Sequence, residues 1–334
     1  MRDGLVLAGA FTASFSLVWL AYERLLPFSG AQGFLLLWAV AFLGFYYVGV
    51  RELDGRVIAK DRTMAALINV IALATVVPLA LILGYVAMQG ARFLRPMFFT
   101  TTMANVSPSD PATATGGLQA IVGTIEQVGI AMVVSIPLGI LTAVYVNEVK
   151  GRLRRPVRIF VDAMSGVPSI VAGLFIYSLI IAGAGQSFSG SAAALALSIL
   201  MLPTVTRTAE VVLRLVPDGL REASLALGAP QWRTVWGVVL PSARSGLVTA
   251  MILGVARVIG ETAPLIVTAF GNPVMNADPF SGAQAALPLS AYNLFRSSQT
   301  SDVQRAWVYA FVLVLIVLIL FTIARRTASK PIGR

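Results

Sequence analysis

The chain contains no cysteine and no histidine. The first absence removes disulfides and thiol nucleophiles, the second the commonest zinc ligand, and together they argue against redox and zinc chemistry. Charge is also scarce. Only 12% of the 334 residues are charged and 57% are hydrophobic, whereas a soluble domain carries about 25% charged residues. Mean hydropathy is +0.83. No Gly-x4-Gly-Lys-Ser/Thr phosphate loop occurs, so ATP is not bound by that route. No internal repeat is visible. The composition is that of a polytopic membrane protein.

Eight apolar segments, near 4–22, 33–50, 63–88, 117–146, 158–183, 190–215, 242–270 and 303–324, approach or exceed the roughly 20 residues that span a bilayer. The first ends in Trp-Leu-Ala-Tyr-Glu-Arg without a small-residue cleavage site, so it is expected to be an uncleaved span rather than a signal peptide. Basic residues set the orientation. One set of connections holds Arg2, Arg51, Arg56, Lys60, Arg62, Lys150, Arg152, Arg154, Arg155, Arg158, Arg207, Arg214, Arg221, Arg233, Arg244, Arg325, Arg326, Lys330 and Arg334. The opposite set holds only Arg24, Arg92, Arg95, Arg296 and Arg305. The positive-inside rule then predicts that both termini are cytoplasmic. The net charge of +10 is a topology signal and calls for no nucleic acid.

Residues 216–241, VPDGLREASLALGAPQWRTVWGVVLP, form a polar island between two of these segments. Asp218 is expected to cap a first helix, Gly228 to stop it, Pro230 to open a second and Pro241 to end that one. Two short helices meeting at a glycine suit docking into a soluble partner's groove, although an amphipathic loop lying on the headgroups has the same composition.

Glu222, Ala223, Gly228, Leu240 and Pro241 stand at the spacing of the EAA loop of ATP-binding-cassette importer permeases, which this island resembles; Ser224 replaces a usual Ala. The resemblance implies that these six residues couple the chain to a separate cytoplasmic ATPase.

Ionisable residues within spans are costly and mark function by default. Arg257 lies thirteen residues beyond Arg244, or roughly 20 Å along a helix, near the midplane. Glu261 follows four residues later and is expected on the same face. The guanidinium fork suits an oxyanion; the alternative is an ion pair that neutralises both groups. Thr262 and Pro264 follow, and Pro264 predicts a kink. Gly246, Ala250 and Gly254 offer close helix approach. Arg207, Glu210 and Arg214 in the sixth segment read as an ion-pair ladder, or as an inner gate lined by Arg207. Asp162, Glu126 and Gln127 carry less information. The long loops 89–116 and 271–302, expected on the outer side, fit plain linkers, or a lid or a dock for an external binding protein.

Ser165-Gly-Val-Pro-Ser-Ile-Val171, Leu202-Pro-Thr-Val-Thr-Arg-Thr208, Ala256-Arg-Val-Ile-Gly-Glu-Thr-Ala-Pro-Leu265 and Ala286-Leu-Pro-Leu289 resemble phosphate-transport permease subunits of the PstA kind. The resemblance covers about the last 270 residues. It implies an all-α membrane protein with a six-helix importer core at 63–334 and a two-helix extension at 1–62. It also implies a pathway through Arg257, Glu261, Thr262 and Arg207. The implied setting is a bacterial inner membrane, and the implied partners are a homologous second permease, two ATPases and an external phosphate-binding protein. No catalytic residue, metal or cofactor is implied for the chain itself; ATP and Mg belong to the ATPase. Sulfate or molybdate permeases share the Ala-Arg-x-x-Gly-Glu core, and an anion secondary transporter would need no ATPase. A membrane-embedded enzyme would require a Ser/Lys dyad or paired Asp residues at depth, and no segment holds Lys or two Asp.

Overall fold

A computed structural model describes residues 2–25, 30–149 and 151–328. Lys150, Lys330, Arg334 and the side chain of Arg2, all counted above for orientation, lie outside the described residues. Among the described residues the regular structure is helical, apart from one isolated β-bridge between Phe270 and Gln284. Among the described residues seven helices are long and apolar enough to cross a membrane, or eight if one sharply bent pair counts as a span. The chain forms two compact units, Met1–Tyr85 and Val86–Arg334.

In the first unit α1 (Arg2–Leu20) packs on α2 (Ala31–Asp54). Phe11 and Phe15 meet Trp38 edge-on at 4.8 and 5.6 Å between ring centroids. Gly55, at φ 86°, turns the chain into α3 (Arg56–Phe93), whose Arg62 pairs with Asp3 and Asp54.

The second unit is built around α7 (Gly190–Arg214). Its small and apolar residues Ala193, Leu197, Met201 and Val205 are buried against Val128 and Ala131 of α4 (Leu118–Glu148). Small residues set the separations. A Cβ on Gly139 of α4 would stand 2.9 Å from Val205 Cγ1, and one on Gly254 would meet Met201 and Val205. Gly254 belongs to α10 (Leu240–Val258), so the Gly246, Ala250 and Gly254 series serves α7 of the same chain. The remaining long helix, α13 (Thr300–Ala328), packs on α10 and on the short α12 (Leu287–Phe295).

Two of the eight apolar segments are broken. Segment 158–183 divides into α5 (Arg154–Ser165) and α6 (Ser169–Ile176), the latter continued by a π-helical stretch to Ala182. The two parts meet at 104°, where Pro168 cannot extend the preceding helix. Segment 242–270 stops at Val258 and resumes as α11 (Ala263–Thr268), with Pro264 in its first turn. The 89–116 loop is tied down by α13. Fully buried Arg305 donates to Asp302 Oδ1 at 2.7 Å and to the Asp110 carbonyl at 2.8 Å, and Tyr309 donates to the Gly116 carbonyl.

Candidate functional site

The polar island divides into α8 (Asp218–Ala226) and α9 (Gln231–Thr234) about Gly228. Gly228 takes φ 83°, as a helix-stopping glycine should. Two expectations are corrected. Asp218 does not cap α8; Pro217 holds the cap position, and the Asp218 carboxylate accepts from Arg221 at 3.1 Å. Pro241 does not end a helix, because Gln231–Val258 is one helical span of 28 residues. A π-helical turn at Val235–Val239 shifts the hydrogen-bond register just ahead of Pro241, which then sits in the first turn of α10, where its missing N–H costs little. The second half of the island is therefore the root of a span and not a loop.

Contacts that the local sequence does not signal hold the island in place. Arg221 donates to both carboxylate oxygens of Glu148 at the end of α4, at 2.8 and 3.2 Å, and to the Leu213 and Val216 carbonyls at 2.9 and 2.6 Å. The bond to Glu148 is the chief cause of a raised Arg221 pKa, so the guanidinium stays charged at any working pH. Gln231 donates to the Glu148 carbonyl, and the Ser224 and Thr234 hydroxyls lie 2.9 Å apart across the two short helices. The outer side is left open: Glu222, Ala223 and Gly228 are exposed, Leu227 is 90% exposed, and no residue of α8 is buried. Leu240 is partly buried against the α7–α10 core, and Pro241 is exposed.

The second cluster lies where α10 breaks from α11. Arg257 occupies the last turn of α10, and its guanidinium pairs with Glu261. Glu261 is not on the same helix face, since the helix has ended; its amide donates to the Val258 carbonyl at 3.0 Å in a tighter turn. The unfavourable Arg-before-Glu order within a helix therefore does not apply. Thr262 follows at the head of α11 and contributes its carbonyl to Leu265 and Ile266 at 3.1 and 3.2 Å. The Arg257 side chain remains 50% exposed, whereas that of Glu261 is 15% exposed. Against this break lies α6: a Cβ on Gly173 would stand 2.7 Å from Pro264 Cα. The stretch Ser169–Ala182 is about 21 Å long at 1.5 Å per residue, short of the roughly 30 Å hydrocarbon core. Two discontinuous helices thus meet beside an Arg–Glu pair. Irregular backbone at such depth is tolerated where protein or a wet cavity meets its polar groups.

Arg207 belongs to a third group. It pairs with Asp162 of α5 and approaches Glu210 at 3.6 Å; buried Glu210 also receives Arg158 and Arg214. The ladder reading describes it, with Asp162 bound to Arg207. On α7, Arg207 lies between Val205 and Val212, which face Gly254 and Gly246, so it sits closer to the Arg244 end of α10 than Arg257 does. Gln127 donates to Gln284 Oε1 and the Ala285 carbonyl at 3.0 and 3.2 Å, and Gln284 donates to Glu126. Glu126 and Gln127 therefore anchor the segment that precedes α12.

Long apolar helices, broken helices meeting at a charged pair and an exposed polar island define a multi-pass helical membrane protein. Residues 135–330 match the family described as binding-protein-dependent transport system inner membrane component. The chain is 43% identical over 244 residues to phosphate transport system permease protein PstA 1 of Mycobacterium tuberculosis, covering 72% of this chain and 79% of that protein. Against the PstA permease of Pasteurella multocida it is 37% identical over 217 residues, covering 64% and 77%. The chain belongs to this family of inner-membrane transport components, among its phosphate transport system permeases. Among solved structures, a chain of the MetNI methionine ABC transporter in an inward-facing conformation superposes with a TM-score of 0.50 at 23% identity, over 63% of this chain and 91% of that one. That likeness is one of fold.

Proposed function

We propose that this chain is the permease subunit of an ATP-driven phosphate importer, with residues 63–334 as the importer core and 1–62 as an added extension. A homologous second permease supplies the other half of the pathway. Two cytoplasmic ATPase subunits bind ATP and Mg, and an external binding protein delivers phosphate. Both termini and the 216–241 island face the cytoplasm. Sulfate or molybdate is the less favoured cargo, because the relatives above carry phosphate in their names.

The observation that carries this reading is the half-exposed guanidinium of Arg257. A charge some 20 Å along α10 from Arg244 is not left facing lipid. In a two-permease assembly it faces the shared pathway, where its planar fork receives an anion that has shed its water. Glu261 limits the attraction, so that the anion leaves again. Thr262 lies next to the pair, and Arg207 stands nearer the inner end of the path.

Coupling follows from the same chain. Glu222, Ala223, Ser224 and Gly228 form the docking surface, while Leu240 and Pro241 join it to the membrane helix. Because Gln231–Val258 is one helical run, displacement of the island moves the turn that holds Arg257. Arg221 passes the same displacement to α4 through Glu148. Proteoliposomes holding the whole complex should take up radiolabelled phosphate on addition of ATP, and sulfate far less. Equal uptake of sulfate, or uptake without ATP, would contradict the reading.

A further inference from the structure

Helix α5 presents three faces. Val161 is buried and Val157 and Met164 partly so, on the side where α5 packs on α7 and α4. Arg154, Arg155, Arg158 and Asp162 share an arc of roughly 100° at the helical period. Pro156, Ile159, Phe160 and Ala163 make a third, exposed face, with Phe160 66% exposed. The arginines differ in their bonding. Arg158 is bound to Glu210, whereas among the described residues no ion pair engages Arg152, Arg154 or Arg155. Those three line an open concavity with Arg158.

The 104° bend to α6 orients this helix. With α6 directed into the bilayer, α5 lies close to the membrane plane. A helix in that plane rests its apolar face among the upper acyl chains and holds its basic residues at headgroup level. We infer that α5 is an interfacial helix and that its Arg154 and Arg155, with Arg152 of the turn that precedes it, bind the headgroups of anionic phospholipids. A lipid fits better than a free anion: the concavity is open, and beside the arginines lie exposed Leu153, Ile159 and Phe160, which acyl chains cover and a soluble ion does not. Through Arg158 and Glu210 the same helix is tied to α7, so the bound lipid bears on the core of the subunit. The inference does not depend on which ion the chain transports.

The test uses the intact complex in detergent, equilibrated with equal amounts of phosphatidylglycerol and phosphatidylcholine, with retained lipid counted by native mass spectrometry. The wild type should retain phosphatidylglycerol preferentially, and the preference should fall as salt rises from ~0.05 to ~0.5 M. R152Q/R154Q/R155Q should lose it, by about fivefold in affinity for each arginine removed, and the matching triple lysine variant should keep it. Millimolar inorganic phosphate should leave retention unchanged. Absence of any preference in the wild type, a salt-independent one, an unchanged one in the glutamine variant or displacement by inorganic phosphate would each overturn the assignment. The salt series needs no substitution and decides the matter if the triple variant does not assemble.

Discussion

Arg221 on α8 and Glu148 at the end of α4, 73 residues apart in sequence, are joined by two hydrogen bonds on one carboxylate. Their side chains are only 16% and 8% exposed. This contact makes the island a rigid extension of the membrane helices instead of a loose loop. The account predicts that Arg221→Ala strands a buried carboxylate, at a cost of about 3–5 kcal/mol, and lets ATP hydrolysis run without transport. Phosphate taken up per ATP consumed should drop several-fold, and the double variant with Glu148→Ala should be more thermostable than Arg221→Ala alone. A normal ratio in Arg221→Ala would remove the contact from the coupling path.

Gly228 offers a second test at the same surface. At φ 83° an alanine is strained by about 1–2 kcal/mol. Proline cannot adopt that angle at all and would also forfeit the Gly228 amide bond to the Leu225 carbonyl. Gly228→Ala should weaken ATPase association in a pull-down, and Gly228→Pro should abolish it. Full association of the proline variant would show that the helix–glycine–helix shape is not what the partner reads.

Much of this was legible in the sequence because bilayer length and apolar runs leave few choices. Each of the eight apolar segments lies mainly in helix, Gly228 stops α8, and the chain breaks before Pro264. Where structure and local sequence signals differ, distant residues decide. Asp218 looked like a cap, but Arg221 takes its carboxylate. Pro241 looked like a stop, but a wide turn beforehand removes the conflict. Arg257 and Glu261 looked like neighbours on one helix, but the helix ends between them. Nothing local singles out Glu148; a lone acid at the end of a span was the only available signal. By sequence Arg305 counts as a loop charge, and its burial needs the Asp110 and Pro111 carbonyls that receive it.

Gly173 tests the meeting of the two broken helices. Because a Cβ there would stand 2.7 Å from Pro264 Cα, Gly173→Val should force α6 away from α11 and lower phosphate uptake at least tenfold. The island lies on other elements, so ATPase association should be unchanged. Uptake near wild type would mean that the approach of α6 to α11 has no part in transport.

Orientation is checked by insertion reporters. One placed at Gly55, between α2 and α3, should read cytoplasmic, and one near Ser107 should read external, given the placement of Lys and Arg. Opposite readings would invert the assignment of the ATPase to the island.

The central claim is that Arg257 meets the transported anion. Its direct test is ATP-driven phosphate uptake by proteoliposomes of the whole complex, with hydrolysis followed in parallel. Arg257→Lys keeps the charge without the fork and should retain part of the uptake, while Arg257→Gln should fall at least tenfold with the complex assembled and hydrolysing ATP. Wild-type uptake by Arg257→Gln would reduce the pair with Glu261 to a structural ion pair and contradict the account.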